Sequence, residues 1–427
     1  MDPVLSPYRT VLSHPGAPAF ALAGLLSRLP ISMFNISVIL MVQIQYDSYS
    51  MAGRVAAIGV LVWSLQTVPT ARLTDRLGQR AAMIPLTLLF VLGSALTVAT
   101  AMSHGPEWLL WIGVALGSMS GPLGSLTRAR WSHLLERDED IHTAFALEST
   151  LDELLFISGP ALATILATAV WPPLGIIVCA VGMVIGMTLL LAQRSTEPPP
   201  RTDGDGASLG WRIPPAVLGV SVISAGIGLL FGAFDISVVA FAEEQGHKQL
   251  SGVLIAILSA GSLLGGLIYG SRHWRAPLWQ RTLATTGALA LGFGALSLSG
   301  NLLVFAVLGF VAGIAIAPTI TNADTVVQRV VRRDQITEGM AWLRIGLGIG
   351  VSAGAWGAGH LIETSGAQTG LHLAAGAGLL TFVIALAMVG TIRRGTRRPG
   401  AESIEAHGPA AREADDFVEQ PPTPPNV

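Results

Sequence analysis

The stretch ALESTLDELLFISGP, residues 146–160, puts three carboxylates, Glu148, Asp152 and Glu153, within six positions, and then becomes apolar enough for the middle of a lipid bilayer. Glu148 and Asp152 are four apart and share one face of a helix, whereas Glu153 points about 100° away from Asp152. Two carboxylates on one face repel unless a cation or a proton intervenes. Further charges stand alone in apolar surroundings at Arg28, Asp235 and Arg344. A charge at the centre of a spanning helix costs about 2.5 to 3.5 kcal/mol on insertion scales, so such residues face a bundle interior or an aqueous cavity and have work there. The chemistry on offer is ion pairing, proton binding or the holding of a charged ligand.

The elements that position these groups follow from composition. Of 427 residues, 51% are hydrophobic and 12% charged, with a mean hydropathy of +0.59, far above a soluble domain. Apolar runs long enough to cross about 30 Å of hydrocarbon recur near 18–46, 52–71, 82–103, 108–127, 142–169, 173–193, 215–242, 251–270, 282–299, 302–322, 338–361 and 370–392. Runs such as LLFVLGSALTVATA are apolar on all sides, which excludes the alternating segments of a membrane barrel. The chain reads as an all-α membrane protein of twelve transmembrane helices.

Arginine fixes the orientation. The connections after spans 2, 4, 6, 8 and 10 each carry three; with Arg9 in the head and five in the tail, 21 basic residues share one side, against Arg54 and Lys248 on the other. By the positive-inside rule both termini are cytoplasmic, in the plasma membrane. The N-terminus shows no removable signal peptide, and Cys179, the single cysteine, permits no intrachain disulfide. The Pro- and Gly-rich segment RSTEPPPRTDGDGASLGWRIPP reads as a flexible linker. The expected organisation is a cytoplasmic head (1–17), a six-helix bundle (18–193), a cytoplasmic linker (194–214), a second six-helix bundle (215–393) and a disordered cytoplasmic tail (394–427). Six spans plus six suggest two parallel repeats with a substrate path between them.

The connection after span 2 reads ARLTDRLGQR, residues 71–80, and resembles the signature of the major facilitator superfamily, roughly G-x-L-A-D-R-x-G-R-R, through Asp75, Arg76, Gly78 and Arg80; Ala71 and Gln79 depart from it. A degenerate copy, GGLIYGSR at 265–272, sets Tyr269 where Asp75 stands. The chain is similar to actinobacterial-type permeases of that superfamily, of unassigned substrate. The resemblance implies two pseudo-symmetric six-helix bundles that rock about a central path. It implies that Asp75, with Arg76 and Arg80, latches the outward-facing state against the N-terminus of span 11. It also makes spans 1 and 5 neighbours, and Arg28 and Asp152 each lie about ten residues into their spans, roughly 15 Å deep. An Arg28 to Asp152 ion pair, with Glu148 in reach, is therefore expected. Either the pair only holds the bundle together, or one carboxylate releases its arginine and carries a proton. Glu148 is the first choice as carrier, because Arg28 neutralises Asp152 more directly.

Asp235, about twenty residues into span 7, is expected near the outer surface, and Arg344, about six into span 11, near the inner one, too far apart to pair. Asp235 is placed to meet Arg54 in an extracellular gate or to stand solvated; Arg344 is placed to organise span 11 or to hold an anion. Gly159 and Pro160 partly match an exporter pattern of the superfamily and suggest a helix bend. Glycines at 113, 117 and 121 and at 346, 350 and 354 form stripes that permit close helix packing. Nine scattered histidines give no metal cluster, and no nucleophile–base pair or ATP-binding loop is present. No enzyme activity, cofactor, metal or nucleic acid is expected. The expectation is a monomeric secondary transporter that exports a small organic molecule by proton antiport, with an importer or uniporter on the same fold, or a membrane sensor or scaffold, as the rival readings.

Overall fold

A computed structural model describes residues 6–200, 214–272, 274–331 and 336–396. Much of the linker expected at 194–214, most of the tail expected at 394–427 and the first five residues of the head lie outside the described residues. The described chain is helical, without strands. Sixteen α-helices follow in order: α1 Ser6–Leu12, α2 Ala17–Ser27, α3 Leu29–Tyr46, α4 Tyr49–Leu77, α5 Gln79–Met102, α6 Glu107–Gly117, α7 Leu123–Leu134, α8 Asp138–Ile165, α9 Leu174–Ala192, α10 Pro215–Glu244, α11 Ser251–Gly270, α12 Leu278–Leu296, α13 Leu302–Gly313, α14 Ile316–Val330, α15 Ile336–Ser365 and α16 Ala367–Thr396.

Ten helical stretches among the described residues are long and apolar enough to cross a membrane. The two other expected spans correspond to the pair α6–α7 and to α12. Backbone groups in hydrocarbon must be bonded internally, which is why the apolar runs become helices. Three of the expected spans are each two helices in line. Span 1 breaks at Arg28 (φ −91°, ψ −3°), where Pro30 stands at the start of α3; proline lacks an N–H and its ring excludes the carbonyl four residues back. Span 4 breaks between Gly117 and Leu123, turning through Gly121 at φ +74°, a backbone region open to glycine. Span 10 breaks between α13 and α14. Each break frees side chains at membrane depth to face inward.

In the second half, α10 and α15 lie against one another. A Cβ at Gly350 would fall 1.9 Å from the carbonyl oxygen of Ala225, and one at Gly354 2.1 Å from that of Leu229. This glycine stripe is a helix contact, as is the one in span 4, where a Cβ at Gly113 would fall 2.5 Å from Thr97 Oγ1. By contrast α8 runs through Gly159 and Pro160 without a break, and widens into a π-helical turn only at Leu166–Val170. Gly159 instead admits the side chain of Ser32 from α3.

The loops define two faces. The proximal face carries α1, the α4–α5 turn and the end of α16; the distal face carries the turns near residues 47, 104, 172, 247, 299 and 366.

Candidate functional site

Inside the first half, the break in span 1 delivers Arg28 to a point between α7 and α8. Its Nη1 donates to Asp152 Oδ1 at 2.7 Å, and its Nη2 lies 2.5 Å from Glu148 Oε2, an ion pair without an aligned hydrogen bond. Arg28 and Glu148 are both 0% exposed. Glu148 also accepts from Thr127 Oγ1 at 3.0 Å and from Trp131 Nε1 at 2.8 Å, so both of its oxygens are engaged. Asp152, more open at 25% exposure, takes a second cation, Arg128 Nη2, at 2.9 Å. Two guanidinium groups thus balance two carboxylates across α2–α3, α7 and α8. Charge-balanced, and with both Glu148 oxygens accepting hydrogen bonds, the cluster meets the main condition under which buried charge is tolerated.

Arg128 was hidden in the sequence because it reads as loop charge beside a run ending near residue 127. The helix continues to Leu134, and α7 buries Arg130 as well. Arg130 donates through Nε to Gln79 Oε1 at 2.8 Å, and through Nη1 to Gln193 O at 2.9 Å and Thr196 Oγ1 at 2.8 Å. Gln79, a departure from the signature pattern, is thereby the point where the α4–α5 turn docks on α7. Glu197 extends the same junction by accepting from the Arg80 backbone N–H at 3.0 Å.

Between the halves lies a cavity of about 480 Å³, lined from both by α3, α4, α8, α10, α11 and α15 among others. Its walls are mostly apolar and aromatic, with Trp63, Phe156 and Phe231 among them; the charged lining groups are Glu153, Asp235 and Arg344. Glu153, turned away from the cluster that holds Asp152, has no ion-pair or hydrogen-bond partner among the described residues. Asp235 accepts from the Asn35 side chain across the seam between halves and has no cationic partner among the described residues. Arg344 has Asp324 of α14 close enough to interact electrostatically.

The cavity is closed distally by bonds between the halves. Glu363 accepts from Ser48 Oγ at 2.8 Å and from the Ser50 N–H at 2.7 Å. Glu243 accepts from Gln43 Nε2 at 3.2 Å and from the Tyr49 hydroxyl, and Lys248 meets both Glu243, at 2.9 Å, and the Gln43 side-chain oxygen. Deeper, Ser352 Oγ donates to Ala57 O at 2.8 Å and Ser64 Oγ to Arg344 O at 2.9 Å. A Cβ at Gly53 would fall 2.5 Å from Ala355 O, so α4 and α15 touch backbone to backbone.

Two helical halves around a central cavity accord with the comparisons to known proteins. The family model described as Major Facilitator Superfamily matches residues 20–299. The chain belongs to the Major Facilitator Superfamily. Solved structures with this superfamily fold include the nucleoside transporter NupG (14% identity, 87% of this chain and 99% of that one, TM-score 0.69 for its D323A mutant). A bacterial homologue of the iron transporter ferroportin in an inward-facing state aligns at 13% identity over 87% of this chain and 98% of that one, TM-score 0.66. A bacterial homologue of the human lysosomal transporter Spinster, inward-facing and occupied, aligns at 16% identity over 92% and 97%, TM-score 0.61. No curated protein matches the sequence. At such identities the likeness shows the fold.

Membership of the superfamily makes the chain a multi-pass membrane transporter of a small molecule. Its signature turn is where the sequence puts it: Gly78, at φ +84°, separates α4 from α5, with Asp75, Arg76 and Arg80 exposed on the proximal face. In the second repeat Tyr269, at the place of Asp75, is buried and donates to Asn322 Oδ1 at 2.5 Å. Arg54 pairs with Glu107, Nε to Oε1 at 2.6 Å and Nη2 to Oε2 at 2.9 Å, while Asp235 lies in the cavity against Asn35; the two are not brought together. Arg344 and Asp235 are likewise apart. Gly346, two residues from Arg344, packs at Ser221 O, some fourteen residues before Asp235, or roughly 20 Å along α10. Thr127, Arg128, Arg130, Trp131, Asn35, Glu243 and Glu363 had escaped the sequence reading. Their signal is polarity within five or so residues of a helix break or end, where an average over an apolar window is blind.

Proposed function

We propose that this protein is a secondary active transporter that exports a small organic molecule across the plasma membrane by proton antiport, through alternating access. The observation that carries this reading is a cavity shared by both halves, sealed distally by bonds between them, with two carboxylates that lack a cationic partner among the described residues. The arginine distribution puts the proximal face in the cytoplasm; the described arrangement is then the one from which an exporter loads. Glu153 is the proton carrier in this reading. Glu148, its rival, has both oxygens engaged by Arg28, Thr127 and Trp131, whereas Glu153 lines the cavity with none. The Asp75 to Arg80 turn, exposed here, closes the proximal side in the opposite state, and Asp75→Asn weakens that closure.

The test uses everted vesicles with an acidic interior and a library of small organic compounds, scored for collapse of the gradient on addition. Export by antiport gives collapse with some compounds in wild type and none in Glu153→Gln, which still exchanges labelled compound for unlabelled. Flux in both variants without any response to the gradient refutes antiport and leaves a uniporter. Uptake favoured in right-side-out vesicles refutes export.

A further inference from the structure

The transport reading leaves the chemistry of the cargo open, and the cavity contains an observation that bears on it. Three of its lining side chains carry charge, and they are not equivalent. Arg344 has Asp324 close enough to interact electrostatically. Asp235 is served by a neutral amide alone, Asn35, from the opposite half. Arg344 is roughly 20 Å away along α10, beyond the reach of any side chain. Glu153 has no partner among the described residues. The cavity therefore presents an excess of negative charge to whatever enters it. Elsewhere the same protein pairs its deep carboxylates with arginine, as Glu148 and Asp152 show, whereas Asp235 faces the cavity without an arginine among the described residues.

The surroundings of Asp235 suit a particular kind of cation. Phe231 lies four residues before Asp235 on the same face of α10 and lines the cavity with it, as Trp63 and Phe156 do from the first half. Aromatic faces attract cations and pack against flat apolar bodies. About 480 Å³ admits a molecule of drug size. A small hydrated metal ion would find neither histidine nor cysteine in this lining, and no group of three metal-binding side chains occurs among the described residues.

We infer that the cavity binds organic cations with an aromatic or apolar body, and that Asp235 is the counter-ion of their charged centre. The inference rests on the transporter reading for the use made of the site but not for the binding itself. Because Asn35 and Asp235 sit on opposite halves, their bond holds only while the distal side is closed. A cation at Asp235 takes over the carboxylate from Asn35 and so favours separation of the halves there, which is the direction an exported cargo must travel.

The probes are tetraphenylphosphonium and tetraphenylborate, nearly identical in shape and opposite in charge, bound to the purified full-length protein in detergent and followed by equilibrium dialysis. Wild type is expected to bind the phosphonium saturably and at least tenfold more tightly than the borate. Asp235→Asn is expected to lose at least tenfold of that affinity, and Asp235→Glu to retain most of it. Equal binding of both probes, preference for the borate, undiminished affinity in Asp235→Asn, or binding of Mn²⁺ with no phosphonium binding would each overturn the inference. Spin labels at Asp47→Cys and Thr364→Cys, on the distal turns of the two halves, separate this from the broader reading. If their distance distribution switches between two populations while no phosphonium binds, the transporter stands and the cation assignment falls. Charge-selective binding without such switching leaves the site standing and removes alternating access.

Discussion

Replacement of Glu148 by glutamine removes one charge from the four-residue cluster with little change of shape. The wild-type cluster balances Arg28 and Arg128 against Glu148 and Asp152; the variant leaves Asp152 to serve both arginines, with Arg28 at 0% exposure. Removing one partner of a buried pair costs about 3 to 5 kcal/mol, because the other charge stays buried. The glutamine oxygen can still accept from Trp131 or Thr127, which retains about 1 kcal/mol. A net loss of about 2 to 4 kcal/mol remains. At roughly 2 to 4 °C per kcal/mol for a domain of this size, the melting temperature should fall by roughly 4 to 16 °C. Arg28→Met alone should cost a similar amount. The double variant leaves Arg128 and Asp152 balanced, and it should recover about 2 kcal/mol relative to the sum of the singles. Thermal unfolding of detergent-purified protein, read by fluorescence-detected size exclusion, measures all three. Additive losses in the double variant would refute the argument that the cluster is a charge-balanced unit. If Glu148→Gln melts within about 2 °C of wild type yet loses gradient-driven flux, Glu148 and not Glu153 carries the proton.

Glu363→Gln removes the charge that accepts from Ser48 and Ser50; the distal labels should shift toward the separated population, by about 1 kcal/mol or a factor near five. Gly350→Ala would place a methyl 1.9 Å from Ala225 O, against backbone that cannot yield, so the monodisperse yield should collapse, while Gly294→Ala, with nothing within 4 Å, should express as wild type. Arg130→Lys cannot reach Gln79, Gln193 and Thr196 together; limited trypsin digestion should cut near Arg194 severalfold faster, and an unchanged rate would show that Arg130 does not hold the linker.

Much of the architecture was legible because the bilayer leaves few choices: an apolar run of twenty residues has to be a helix, and arginine has to stay on one side. The approach of Arg28 to Asp152 could be read from depth together with the resemblance that makes spans 1 and 5 neighbours, since each side chain lies equally far along its own span. What depth could not supply was the geometry around the breaks. Arg28 reaches Glu148 because the span breaks at that residue, with Pro30 in the first turn of α3, and Arg128 joins because α7 resumes beyond Gly121. Both arginines of α7 read as loop charge when the helix is taken to end at residue 127. Asp235 was misjudged for a related reason. It stands nine residues before the end of α10, which suggests the surface, but Gln43, Tyr49, Glu243 and Lys248 close over the distal end and leave Asp235 beneath them in the cavity. The sequence repeat also overstates likeness: where Asp75 is exposed, Tyr269 is buried against Asn322.

On the proposed alternating-access reading, the placement of charge suits two halves that move without coming apart. Within the first half, Arg28 and Arg128 are matched by Glu148 and Asp152, and breaking the buried Arg28–Glu148 pair costs about 3 to 5 kcal/mol, so the bundle can travel as one body. Across the seam the polar bonds are of another kind. Ser48 and Ser50 to Glu363, and Gln43 to Glu243, lie at the partly exposed distal rim, where water can replace each partner as it leaves. Such bonds contribute about 0.5 to 3 kcal/mol singly, and the population of one state over the other follows from their sum rather than from any one of them. The bond from Asn35 to Asp235 differs, because it crosses the seam inside the cavity. Opening the distal side strips that carboxylate of its amide, and an unpaired buried charge resists the step unless something else satisfies it. Cargo arriving at Asp235 removes the resistance. Occupancy of the cavity and movement of the halves are coupled, on this argument, through a single carboxylate that each state of the protein must find a partner for.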